Sequence, residues 1–113
     1  MSFAKLSEKE QKVIFQCLNA ILKGDFLANE FQTRLGIEPE ELKIVLAQFP
    51  NIDDTEDDSF ETLAINNCLN EVCCGISFSN QEWPNWFDFE KVEAEEVYRK
   101  WTILRGWKNT GIK

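Results

Sequence analysis

The sequence predicts a compact all-α domain made of two pseudo-symmetric repeats, with about five to six helices in total. The first observation is that CLNAILKG at residues 17–24 returns as CLNEVCCG at residues 68–75. The second is that apolar residues recur at helical spacing in both segments. The third is size: 113 residues, 43% of them hydrophobic, suffice for one core without support from a metal or a disulfide. We therefore expect one domain over residues 1–113.

The repeated segments, 7–24 and 58–75, align without a gap and share six identities in eighteen positions. Average residue usage predicts about one identity by chance. Both segments carry an apolar stripe, so each is predicted to be a helix with the same face buried. The stripe residues are Ile14, Cys17, Leu18, Ile21 and Leu22 in the first copy, and Ile65, Cys68, Leu69, Val72 and Cys73 in the second.

The ends of these two helices carry matching signals. Ser7 and Glu10 have the spacing of a capping box, and we expect Asp58 and Glu61 to play the same two roles. Each helix is expected to end at a glycine in the left-handed conformation, Gly24 in the first copy and Gly75 in the second.

A second helix is predicted in each half of the chain. Residues 37–42 are IEPEEL and residues 92–97 are VEAEEV. Glutamates in a first helical turn complement the helix dipole, and proline is well tolerated there. The second copy is four residues longer before this motif, and we place the extra residues in the WPNW segment at 83–86.

The repeats therefore extend over approximately 7–50 and 58–107, with an acidic joint at 51–58. We expect this joint to be a solvated linker. Neither apolar stripe can be buried by one half alone, so the halves are predicted to pack face to face about an approximate two-fold axis.

Charge and composition restrict the function. Twenty acidic and twelve basic residues give a formal net charge of −8, and there is no histidine. Such a surface repels polyanions and favours a basic protein surface as a partner. Without histidine the commonest general base and the commonest neutral metal ligand are missing. We predict a protein that is not an enzyme and that has no catalytic residues, no metal site and no cofactor.

The N-terminus predicts the cellular location. MSFAKLSEKEQKV carries charges where a signal peptide needs an apolar run, and no stretch has the length of a membrane span. We expect a cytoplasmic protein with no membrane association. The four cysteines match no zinc spacing, and we expect Cys73 in the core and Cys74 near solvent.

Aromatic residues are concentrated in the last third of the chain, beside several arginines and lysines. Exposed aromatic residues beside arginine are typical of protein interfaces. The loop at 78–89 together with the C-terminal tryptophan is therefore our candidate surface for a partner or for self-association. Its residues are Phe78, Trp83, Trp86, Phe87 and Trp107.

Asn19 and Asn70 occupy one matched position in the two copies. Asparagine is a poor helix former, so its recurrence calls for a reason. Two explanations stay open: a side chain that bonds the neighbouring backbone, and a symmetric polar pair on the pseudo-axis.

Two alternative functions remain. Residues 26–49 have the outline of a helix-turn-helix, which predicts a DNA-associated regulator, although the would-be recognition helix opens with glutamates. The pairs Glu38/Glu41 and Glu93/Glu96 could align carboxylates for a metal enzyme. The favoured hypothesis is a non-enzymatic protein-interaction or regulatory domain.

LAINNCLN at 63–70, EEV at 95–97 and Trp101 resemble a group of short helical proteins of bacteria that have no assigned function. The resemblance covers most of the chain and implies a helical bacterial domain, but no reaction. Where those proteins often have Gly-Tyr-Pro-His, this chain has the segment GISF at 75–78, so a role that depends on that tyrosine or histidine does not carry over.

Overall fold

The computed structural model describes residues 2–107 and shows a compact all-helical protein, with no strand in that range. This confirms the all-α prediction. The seven α-helices in the range exceed the predicted five to six because α1 and α6 are single turns. Met1 and residues 108–113 of the predicted domain lie outside the described residues. The helices are α1 (Ser2–Lys5), α2 (Glu8–Lys23), α3 (Phe31–Leu35), α4 (Pro39–Gln48), α5 (Phe60–Asn70), α6 (Trp83–Trp86) and α7 (Lys91–Leu104), with a 3-10 turn at Ala28–Glu30 and a π-helical turn at Glu71–Gly75.

The core lies between α2 and α5, which pack directly on each other, while α4 and α7 pack on both. Leu18 and Leu69, the matched leucines of the two repeated segments, are both fully buried there. The two apolar stripes therefore contribute to one interior. Whether the halves are related by a two-fold axis stays a prediction. In the part of the chain that the structure describes, no helix is long and apolar enough to span a bilayer.

The two central helices begin differently. At α2 the capping box is present: Glu10 N donates to Ser7 Oγ at 3.1 Å, and Ser7 N donates to Glu10 Oε1 at 2.8 Å. The prediction that Asp58 and Glu61 would repeat this is wrong. Ser59 caps α5 instead, because its hydroxyl accepts from Thr62 N.

The register shifts by one residue at α5 because the Ser59 and Thr62 hydroxyls both donate to Glu56 O, at 3.1 and 2.6 Å. This turn fixes Ser59 at the N-cap and leaves Asp58 exposed. A hydroxyl can donate to a carbonyl while it accepts from the helix, which a carboxylate cannot do.

The prediction of left-handed glycines at the helix ends is also wrong. Gly24 has φ −85°, and Gly75 lies inside the π-helical turn and is not among the positive-φ residues. These glycines are needed for close approach instead. A Cβ on Gly24 would lie 2.1 Å from the Phe26 ring, and a Cβ on Gly75 would lie 2.1 Å from Glu71 Oε1.

Glu71, the first residue of the π-helical turn, forms an ion pair that lies close to the backbone of the turn. Arg34 Nε donates to Glu71 Oε2 at 3.0 Å, and Arg34 Nη2 bonds the other carboxylate oxygen. Glu71 is 6% exposed. The pair ties α3 to the end of α5, and only glycine at position 75 leaves it room.

The predicted match between residues 37–42 and 92–97 does not extend to the helix starts. Helix α4 begins at Pro39, two residues after Ile37, whereas α7 begins at Lys91, before Val92. Ile37 is 2% exposed and Val92 is 55% exposed. The two positions therefore have different environments.

The joint at 51–58 is only partly solvated, which corrects the prediction of a solvated linker. Asp54 is fully buried. Its Oδ2 accepts from Phe3 N at 2.9 Å and from Trp101 Nε1 at 3.2 Å, and Arg105 Nη1 donates to it at 3.1 Å. One carboxylate in the joint thus connects α1 to the last turn of α7 and the residue that follows it.

Candidate functional site

The segment between the π-helical turn and α7 folds as a small aromatic unit of its own. Glu82 N donates to Ser79 Oγ at 3.0 Å, and Ser79 N donates to Glu82 Oε1 at 3.0 Å. This reciprocal pair closes the turn that leads into α6. Sequence reasoning missed it, although Ser79-x-x-Glu82 has the same spacing as the capping box at Ser7.

The rings of this unit pack against each other. Phe78 lies 5.4 Å from the ring centroids of both Trp83 and Phe87, in edge-to-face geometry. The Trp83 and Phe87 centroids are 4.3 Å apart, and those of Phe87 and Phe89 are 5.3 Å apart. Such pairs stabilise a fold beyond the area that they bury.

The Trp83 indole is fixed by one further bond, from Nε1 to the carbonyl oxygen of Phe89 at 2.5 Å. The one polar atom of this side chain is therefore satisfied inside the protein. What Trp83 still offers to a ligand is the surface of its ring.

Two contacts dock the aromatic unit on the first half of the chain. Gln16 Nε2 donates to Asp88 Oδ1 at 2.8 Å, and Asp88 N donates to Gln16 Oε1 at 3.1 Å. On the other side, Phe26 packs edge to face with Phe78 at 4.9 Å and with Trp86 at 5.3 Å. The unit is therefore held from two directions and forms a rigid surface.

A hollow of about 690 Å³ opens between this unit and the start of α7. Its apolar wall comes from Phe78, Trp83, Pro84, Phe87 and Phe89. Its charged residues are Asp88, Glu90, Lys91 and Glu93. With three carboxylates and one ammonium group, the rim is negative. An aromatic wall with an acidic rim suits a ligand that has both an apolar part and a positive charge.

Three of the five predicted interface residues line this hollow: Phe78, Trp83 and Phe87. They are less exposed than predicted, because Phe87 is 3% exposed and the other two are half-buried by packing within the unit. Trp86 belongs to the same unit but packs on Phe26. Trp107 does not join them. It follows α7, a helix of fourteen residues that is about 20 Å long, whereas the aromatic unit lies at the other end of that helix.

Trp107 forms a second aromatic cluster with Trp101, their ring centroids 5.3 Å apart. The Arg105 guanidinium lies over both rings, 5.2 Å from the Trp101 centroid and 4.9 Å from the Trp107 centroid. Asp54 and Asp57 pair with the same guanidinium. The cluster therefore connects the joint at 51–58 to the C-terminal end of α7.

The predicted polar pair, Asn19 and Asn70, is partly exposed at both positions. The side-chain hydrogen bonds of this region come from Asn66 and Asn67: Asn67 Nδ2 donates to Leu35 O at 2.7 Å, and Tyr98 OH donates to Asn66 Oδ1 at 3.2 Å. A symmetric role for Asn19 and Asn70 stays a prediction.

The cysteines divide as expected, with Cys73 buried, Cys74 exposed and none in a disulfide. Cys17 and Cys68 are also buried. Burial raises the pKa of the Cys17 and Cys68 thiols well above the usual range and raises that of Cys73 to about 12. These three thiols therefore stay protonated and pack as apolar side chains in the core.

The glutamates of the alternative hypotheses lie at helix starts. Glu41 Oε1 accepts from Glu38 N at 2.9 Å and so caps α4, and Glu93 lies in the first turn of α7. Residues 2–107 hold no group of three or more Cys, Asp or Glu side chains placed to bind a metal ion. Helices α3 and α4 meet at Gly36, whose φ of 72° gives the sharp turn of a helix-turn-helix outline.

Comparison with known proteins gives no relative. No family model, no curated protein and no solved structure matches this chain.

Proposed function

We propose that this protein is a non-enzymatic interaction domain that binds a basic segment of another protein in the hollow between the aromatic unit and α7. The single observation that carries the proposal is the combination of an aromatic wall with three carboxylates on one rim. A basic segment can lay its apolar stems on the rings while its charged ends pair with the rim.

The net charge of −8 supports a basic partner rather than a second copy of this chain. Two copies with this charge repel each other at a distance, whereas a basic segment is steered towards the rim. The rigid seating of the aromatic unit also favours binding, because little conformational entropy is lost when the partner docks.

The experiment is selection from a displayed library of random peptides on the native protein. Each round includes a counter-selection on the Glu93→Lys variant, which reverses one rim charge. Glu40→Lys serves as the matched control, since Glu40 is an exposed glutamate in the first turn of α4, away from the hollow. We expect enriched sequences with basic and apolar residues that bind the wild type and the Glu40→Lys variant but not the Glu93→Lys variant. Enrichment of acidic sequences, or no enrichment, would contradict the proposal.

The helix-turn-helix alternative is tested separately by a gel shift with duplex DNA at low salt. The first turn of α4 presents glutamates, which repel phosphates, so we expect no shifted band. A band that is lost in the Lys43→Glu variant would revive the alternative, because Lys43 is an exposed base of α4.

A further inference from the structure

Building on the proposed function, we infer that the hollow selects arginine over lysine, with a partner's guanidinium stacked on the Trp83 ring and paired with the rim carboxylates.

The Trp83 indole cannot act as a hydrogen-bond donor to a ligand, because its N–H is already bonded to Phe89 O at 2.5 Å. That bond also fixes the plane of the ring. Edge-to-face packing on Phe78, with an interplanar angle of 89°, holds the ring from a second side. Phe87, whose centroid is 4.3 Å away, lies against part of the ring, and the part that stays exposed offers a π surface in one orientation.

A flat, fixed ring discriminates between the two basic side chains. The guanidinium is planar, is more weakly hydrated than an ammonium group, and stacks on aromatic faces while its N–H groups bond carboxylates in the same plane. The lysine ammonium gains the cation–π attraction but loses a stronger hydration shell. The carboxylates of Glu90 and Glu93, which line the same hollow, would accept from the guanidinium edge.

The second aromatic cluster shows how this chain holds a guanidinium. Arg105 lies over the rings of Trp101 and Trp107 and pairs with Asp54 and Asp57. There the two rings and two carboxylates all come from the chain itself. In the hollow the same kinds of group are present without an arginine of the chain among the lining residues.

The experiment compares the affinities of fluorescent oligo-arginine and oligo-lysine of equal length for the native protein, by anisotropy at physiological salt. We expect oligo-arginine to bind about fivefold more tightly, from stacking and in-plane pairing. Glu93→Gln should weaken oligo-arginine binding by up to about fivefold, the range for an exposed ion pair. Glu40→Gln removes the same charge away from the hollow and should leave the affinity unchanged.

Nuclear magnetic resonance places the contact. On titration with oligo-arginine, the Trp83 indole signal should shift more than that of Trp86, which shares α6 but does not line the hollow. Equal affinities of the two oligomers would overturn the arginine inference and leave the basic-segment proposal standing. Equal effects of the two glutamine variants would place the binding outside the hollow and overturn both. No binding of either oligomer would overturn both.

Discussion

Arg105 binds Asp54 through two oxygens: Nη1 donates to the backbone carbonyl of Asp54 at 2.6 Å and to its carboxylate at 3.1 Å. The Asp54 side chain is fully buried and that of Arg105 is 4% exposed. Asp54 Oδ1 and Arg105 Nε have no hydrogen-bond partner in the part of the chain that the structure describes. Both side chains are therefore withdrawn from solvent, and the loss of either charge is costly.

Asp54→Asn should lower the free energy of unfolding by about 2–4 kcal/mol, because it removes the buried counter-ion of Arg105 and leaves only the exposed carboxylate of Asp57. Urea denaturation followed by circular dichroism measures the change. Asp57→Asn is the control: Asp57 pairs with the same guanidinium, but its side chain is 69% exposed. Its removal should cost less than about 1 kcal/mol. Equal losses in the two variants would contradict the structural role of Asp54.

Gly75→Ala should destabilise the protein by about 1–3 kcal/mol, the usual range for overpacking. The added methyl group would meet Glu71 Oε1 and Arg34 Nη2 and push the ion pair out of place. A double-mutant cycle with Glu71→Ala checks this cause. In the Glu71→Ala background the same glycine substitution should cost much less. An equal cost in both backgrounds would show that backbone conformation, and not the ion pair, requires the glycine.

Alkylation with iodoacetamide tests the burial of the thiols. Cys74 is exposed, whereas burial raises the pKa of Cys17 and Cys68, and raises that of Cys73 to about 12. Mass spectrometry should find one added group on the native protein and four on the protein in urea. Cys74→Ser should remove the single native addition. More than one rapid addition to the native protein would show that the core is more open than the structure shows.

The pH dependence of stability should include a contribution from Glu10. Partial burial raises the pKa of Glu10, but hydrogen bonds from Ser7 and Lys100 outweigh it, so the pKa is lowered overall. A lowered pKa in the folded state means that this contribution is present above the unfolded value and is lost as pH falls through the folded value. Glu10→Gln should therefore destabilise the protein at neutral pH and much less in acid. An equal loss in the free energy of unfolding at neutral and at acid pH would contradict this linkage.

Much of the fold was predictable because hydrophobic periodicity is local. The stripes that contain Leu18 and Leu69 identify α2 and α5, and both leucines are buried in the same core. The helix ends were less predictable. Ser59 displaced Asp58 as the cap through hydroxyl bonds to Glu56 O, and Gly75 is required by an ion pair whose members are 37 residues apart in the chain. The Ser59 turn is local, but two neighbouring residues compete for the same cap, whereas the Arg34–Glu71 pair depends on tertiary packing and leaves no local signal.

The candidate site was predictable in part. Aromatic surplus indicated the segment at 78–89, but not that the rings would pack on each other and leave a hollow beside α7. Trp107 was grouped with that segment because both lie near the C-terminus, whereas the length of α7 separates them. The Ser79-x-x-Glu82 spacing indicates the turn that leads into α6, but not where the helix begins.

The central claim is that the hollow with the acidic rim binds a basic segment. Its most direct test is to measure, by calorimetry, the affinity of a selected basic peptide for three charge-reversal variants. Glu93→Lys should weaken binding, Lys91→Glu should strengthen it, and Glu40→Lys should leave it unchanged, because only the first two residues line the hollow. The account would be contradicted if the substitutions at positions 91 and 93 left the affinity unchanged. It would also be contradicted if Glu40→Lys and Glu93→Lys weakened binding equally, because the affinity would then follow net charge alone.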